Sequence, residues 1–231
     1  MGARNESVLI QEYIDGTEFY VDSVSYKGTH IPVDIFQYKK GHHNGHSFIY
    51  EKEYFINSDD PNWENLAVFS QKALDALQFH TGPSHMEVKI NSKDEIVFIE
   101  VGARLSGGDT HLLTQETRLD GLSQVQLSID AYLDLPAPER KYSSKKFGIR
   151  NYIVSNKKGV LKKYKSIEQI QKLNSFSRMN LVYKEGSTIK PTIDMASDAG
   201  WIDLSHSNKN QISNDEKILD QLLFEGIFCL E

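Results

Sequence analysis

The chain has 231 residues, enough for one large domain or two small ones with a substantial core. Its formal charge of −6 argues against a nonspecific nucleic-acid binder, which normally presents a basic field, and its single cysteine, Cys229, excludes a disulfide framework or a multi-cysteine metal site. No apolar stretch reaches the length of a membrane span and the N-terminus lacks a secretory apolar core, so a soluble cytoplasmic protein is expected.

Residues 8–14 (VLIQEYI) are apolar-rich and predict a strand. Residues 17–26 (TEFYVDSVSY) and 31–40 (IPVDIFQYKK) predict two more, joined by the turn KGTH. The stretch 41–58 has no clear period, and GHHNGH within it reads as a mobile loop. A helix is expected from DDPNW onward, with Asp60 as cap and Pro61 in the first helical position. Leu66, Phe69, Ala73, Leu74 and Leu77 would form its apolar face. Residues 121–135 predict a second amphipathic helix that buries Leu122, Val125, Ile129, Tyr132 and Leu133.

PAPERKYSSKK (136–146) has linker composition and divides the chain into 1–138 and 139–231. The second part predicts a small α+β unit. It has a strand at 147–155, a short helix with a Ser166/Gln169 capping box, and strands near 178–184 and 199–205. A last helix should start at a Ser213/Glu216 capping box.

The segment HMEVKINSKDEIVFIEVGARLSGGDTH (85–111) carries the chemistry. Read as a hairpin of 86–90 and 96–101 with residue 91 facing 96, it sets Glu87 opposite Glu100, roughly 5 Å apart at Cβ. Met86, Val88, Ile90, Val97, Ile99 and Val101 would form the apolar underside. Facing like charges are destabilising unless something neutralises them. Either both are solvated surface acids, one of them paired with Lys89, or they hold a hard divalent cation, which takes oxygen ligands. Arg104, with Gly107 and Gly108 close behind, would suit phosphoryl charge and a near backbone approach. His42, His43 and His46 cluster without a fourth ligand or helical spacing, so a solvent loop is preferred over a zinc site. Lys39 and Lys40 could reach phosphate, but a charged strand end is preferred.

Taken with Gln11-Glu12-Tyr13-Ile14-Asp15-Gly16-Thr17-Glu18, this hairpin resembles the C-terminal half of the ATP-grasp fold, especially the carboxylate–amine ligases of the L-amino-acid (dipeptide) ligase group. The fold class implied is α+β: the C-terminal half of an ATP-grasp fold, an antiparallel sheet with packed helices, plus a small C-terminal α+β domain. By the resemblance, Gln11, the Glu12 carbonyl and the Ile14 amide meet adenine, and Glu18 binds ribose. Glu87 and Glu100 bind Mg²⁺, for which Mn²⁺ can substitute, and Arg104 is the catalytic residue. His111 would lie near the acceptor pocket.

Gly102 stands where the family's asparagine ligand is expected. The implied reaction joins a carboxylate and an amine at the expense of ATP through an acyl phosphate. No nucleic-acid or membrane partner is expected, and a homodimer is compatible. The resemblance further implies an N-terminal half, in cis or as a separate chain, that is missing here, so that the chain alone is an incomplete enzyme. The rival readings are another ATP-grasp ligase, biotin-carboxylase-like or of the purine pathway, and a non-catalytic nucleotide-binding module.

Overall fold

A computed structural model describes residues 7–136 and 141–231. In it the aromatic and β-branched residues of the first third become long strands. β1 (Thr17–Tyr26) pairs with β2 (Thr29–His43), and β2 with β3 (His46–Phe55). After helix α1 (Trp63–Ala76), β4 (Gly82–Ile90) and β5 (Ile96–Gly102) extend the sheet beyond β1. Helices α2 (Thr110–Thr117) and α3 (Gln124–Tyr132) follow. The second part contains β6 (Phe147–Tyr152), β7 (Gly159–Tyr164), the short α4 (Ile167–Gln171), β8 (Phe176–Leu181) and β9 (Thr188–Ile189). β10 (Gly200–His206), the long α5 (Lys209–Glu225) and β11 (Phe228–Leu230) come last.

Eight strands form one sheet in the order β5-β4-β1-β2-β3-β6-β10-β8, while β11, β7 and β9 form a small second one. Every pairing is antiparallel. Because partners across an antiparallel ladder share a face, the pairs Asp22↔His85, Tyr20↔Glu87 and Tyr38↔Glu53 put these six residues on one side. Ser23 points the other way, to Ser70 of α1, and Lys52 to Glu216 and Asp220 of α5. Helices α1 and α5 thus cover the back. The front is partly covered by α2 and α3, and it is open over β4 and β5.

The largest core packs Phe19, Val21 and Ile35 against Trp63, Leu66 and Leu74. A second surrounds Ile202, Leu204, Ile212 and Leu219. The antiparallel sheet with packed helices is the expected fold. The boundary at 138/139 lies outside the described residues, and the division into 1–138 and 139–231 stands as a proposal. In its favour, each part has its own core; yet the sheet is continuous through both. Tyr142, assigned to the linker, is a core residue whose hydroxyl donates to Ile56 O at 2.6 Å.

Several local expectations are corrected. Residues 8–14 form no strand, because β2 and β4 already occupy both edges of β1. Val8, Leu9 and Ile10 are exposed instead. The supposed loop GHHNGH is the tip of the β2–β3 hairpin. Asn44 and Gly45 both have positive φ (53° and 81°), the signature of the two-residue turn that matches strand twist. Helix α1 starts at Trp63 rather than Pro61, since Asp60 accepts from Asn62 N at 2.9 Å and closes a turn first.

Helix α3 buries Gln124, Leu127, Ser128 and Ala131, leaving Ile129, Tyr132 and Leu133 exposed. Its rotation is set by the Gln124 amide, which donates to Ser23 O and Ser84 O at 3.1 and 2.9 Å. Neither capping box forms: Ser166 makes no capping bond, and α5 starts earlier, capped two residues after the end of β10 by Asn208, which accepts from Asn210 N and Gln211 N. Helix α2 was not anticipated.

Candidate functional site

The hairpin places Glu87 and Glu100 as direct cross-strand partners, as the alternation predicted. A bulge between Glu87 and Val88 then shifts the register by one, so Val88 faces Phe98 and Ile96, rather than Val97, packs on the core. Glu87 is held: His85 Nε2 lies 3.6 Å away and the Tyr38 hydroxyl reaches it at 3.5 Å. Glu100, on the edge strand, is exposed and makes no ion pair among the described residues. One carboxylate is fixed and the other is available.

His85 is buried beneath this pair. Its Nδ1 lies 2.6 Å from Asp22 Oδ1, and its ring packs on Tyr20. Burial alone would lower its pKa, but hydrogen bonds to Asp22 and Glu87 outweigh that and raise it to about 10. A cation therefore sits under the glutamates. Burial likewise pushes Glu87 up, and the His85 bond together with the charges of Lys40 and His85 overcomes it, leaving the carboxylate below its usual range. Asp34, the cross-strand partner of Asp22, accepts from the Thr114 hydroxyl at 2.7 Å. Burial, then the charge of Asp22, holds its pKa well above the ordinary value.

Glu18 lies in the same field. Lys40 donates to it, and Lys89 approaches at 3.7 Å. Lys40 is no solvated strand end: it is stacked between the rings of Tyr38 and Tyr50, at 4.5 and 4.4 Å. Lys39, by contrast, pairs with Glu51. Lys89 also donates to Ile14 O at 3.0 Å and lies over the Tyr13 ring, so it pairs with neither hairpin glutamate. Ile14 is thereby drawn to the site, whereas Gln11 and Glu12 stand exposed on an irregular segment.

Arg104 folds back along its own strand, donating to Leu105 O at 2.9 Å. A Cβ placed on Gly102 would meet its Cγ and Nε at 3.2 Å. The glycine thus makes room for the arginine in the space where a side-chain ligand was expected. The following turn is pinned from below by Arg150, which donates to Gly108 O and, at 3.3 Å, to Asp109 O. Arg150 is fully buried, bidentate to Asp203 at 2.8 and 2.9 Å, and stacked on Trp201. Glu53 beside it accepts from Tyr152 and Tyr20 at 2.7 and 3.2 Å.

Three of these residues, His85, Asp22 and Arg150, were missed in the sequence. The one legible signal was His85-x-Glu87, two residues apart and hence on one face. The histidines of the hairpin tip do not assemble a site: His42 bonds Ser47, and His43 bonds Glu51 at 2.8 Å. Among the described residues no three His, Cys, Asp or Glu side chains gather as a metal cage. Two carboxylates suffice for Mg²⁺ only when phosphates complete its shell. The pair Glu87–Glu100 fits that use and no closed metal site.

Residues 2–111 match the ATP-grasp domain. The chain carries an ATP-grasp fold. The chain is 26% identical over 205 residues to dapdiamide A synthase of Enterobacter agglomerans, covering 87% of the chain and 48% of that protein. It is 21% identical over 212 residues to the L-arginine-specific L-amino acid ligase of Bacillus subtilis, covering 91% and 50%. Its fold is that of the L-amino acid ligase from Bacillus licheniformis, with TM-score 0.74 and 24% identity over 90% of this chain and 53% of that one. The chain spans about half the length of the curated relatives it matches, as the resemblance to a C-terminal portion implied.

Proposed function

We propose that this chain is the nucleotide- and phosphate-binding half of an ATP-dependent ligase that joins a carboxylate to an amine, both most simply amino acids. The observation that carries the reading is Glu87 fixed opposite an available Glu100, with the His85 cation beneath and Arg104 beside them. Glu87 and Glu100 would hold Mg²⁺, whose contribution when bound is to offset charge on ATP phosphates. Glu18, already oriented by Lys40 and Lys89, would accept from the ribose hydroxyls. Gln11, Glu12 and Ile14 would close on adenine through one side-chain amide, one carbonyl and one N–H.

Arg104 would meet the charge that develops as the γ-phosphoryl group passes to the substrate carboxylate. Attack by the amine on the resulting acyl phosphate releases phosphate and leaves the amide. Joined to an N-terminal half, in cis or as a second chain, the protein with Arg104→Ala should lose about 10²–10³-fold of its carboxylate-dependent ADP release. Unaltered release would overturn the assignment.

One observation favours a second reading. Arg104 occupies the space a third ligand would use, as it could in a module that binds nucleotide without catalysis. Mg-dependent ATP binding without any ADP formation, measured with both halves present, would establish that alternative. Product analysis separates the purine-pathway type of ligase, which would require a nucleotide precursor.

A further inference from the structure

A cavity of about 700 Å³ lies on the back of the sheet, away from Glu87 and Glu100. Its walls are the β2–β3 hairpin, the turn after β6 and the final turns of α5. That volume falls within the roughly 300–1,000 Å³ typical of small-molecule sites.

The cavity's chemistry is specific. Asn151 lines it and is 1% exposed, yet its Oδ1 accepts no hydrogen bond among the described residues. The Nδ2 of the same amide is turned to Ile202 O at 3.4 Å, so the orphan is an acceptor and calls for a donor from whatever fills the space. Lys52, the cross-strand partner of Asn151, does not meet that need in the structure. Its ammonium is clamped by Glu216 at 2.6 Å and by Asp220 at 2.7 Å.

The rim adds the opposite requirement. Lys157 and Lys217 line the cavity, and neither has an ion-pair partner among the described residues. Lys157 comes close to the end of α5, where a Cβ on Gly226 would lie 3.6 Å from its Nζ. Along α5, Lys217, Gln221 and Phe224 recur at helical spacing and therefore share a face. Phe224 is 88% exposed there, an apolar surface with nothing upon it. A buried acceptor, two free cations and an apolar wall together describe the complement of one molecular type.

We propose that this cavity binds an α-amino acid or a short peptide. The ammonium donates to Asn151 Oδ1, the carboxylate meets Lys157 and Lys217, and an apolar side chain covers Phe224. A free amino acid and a dipeptide share this chemistry and differ in reach.

The test is calorimetric titration of the full chain with L-leucine, leucyl-leucine, glycine and sodium phosphate. Leucine or leucyl-leucine should bind saturably, and the tighter of the two identifies the source. The exposed double variant Lys157→Glu/Lys217→Glu should weaken that binding by about tenfold or more, and Phe224→Ser should remove the preference for leucine over glycine. Glu95→Gln, in the exposed β4–β5 turn outside the cavity lining, should leave it unchanged. The proposal is overturned if neither leucine probe binds, or if phosphate binds as tightly as they do. It is also overturned if the double lysine variant keeps the binding at full strength.

Discussion

Two charged clusters lie a few residues apart on the front of one sheet, and they are built to opposite ends. Around Arg150 every strong group is satisfied: Asp203 takes the guanidinium bidentately, Glu53 takes two tyrosine hydroxyls, and all are sealed from water. Around Glu87 the anchoring groups are buried, while Glu100 and Arg104 are left exposed and lack an ion pair among the described residues. Saturation makes a fastener, because a buried pair resists the loss of either member. Deliberate incompleteness makes a site, because the remaining capacity can only be met by something that arrives.

The sharpest way to break this contrast is Arg150→Met. It strands the buried Asp203 and Glu53 charges and releases the Gly108 carbonyl, so a loss of about 3–5 kcal/mol is expected in urea unfolding. A loss below about 1 kcal/mol would mean that the closed cluster is no fastener. Alkaline pH probes the open cluster next. The folded pKa of His85, about 10, exceeds its ordinary value of 6.5, because Asp22 and Glu87 outweigh the lowering effect of burial. A raised pKa stabilises fully below about 6.5, and the contribution is lost as pH climbs through about 10. Stability should therefore fall between pH 7 and 10, and His85→Gln should flatten that fall; a slope unchanged in the variant would place its source elsewhere. The smallest effect belongs to Glu100→Gln. Removing an exposed charge should leave the unfolding free energy within about 0.5 kcal/mol, and a larger loss would show that Glu100 already serves the fold.

Much of the scaffold was legible, and the reasons differ by element. Residues 17–26 are dense in aromatic and β-branched residues, and they are β1 to the residue. The opposition of Glu87 and Glu100 followed from counting across the turn, whereas the bulge beside it did not, since residues 96–99 are all apolar and show no break in pattern. Asn44-Gly45 was a readable turn signal hidden by its histidine neighbours. The face of α3 could not be read from apolar spacing, because a polar residue, Gln124, turns inward to satisfy carbonyls of two strands. His85, Asp22 and Arg150 depend on partners 63, 63 and 53 residues distant. Pairings over such separations leave no local pattern.

The β3–β6 ladder consists of three residue pairs, Lys52↔Asn151, Glu53↔Arg150 and Tyr54↔Ile149. Beside it the Asn44 amide donates to Ser155 O at 2.9 Å and Thr192 O at 2.8 Å, stitching the hairpin tip to the far side. This seam makes the molecule a natural substrate for fragment complementation. A chain severed between 136 and 141 keeps a ready-made template on each piece, and reassembly restores Arg150 to the turn behind Arg104. Reconstitution of the candidate site would thus report on the seam itself.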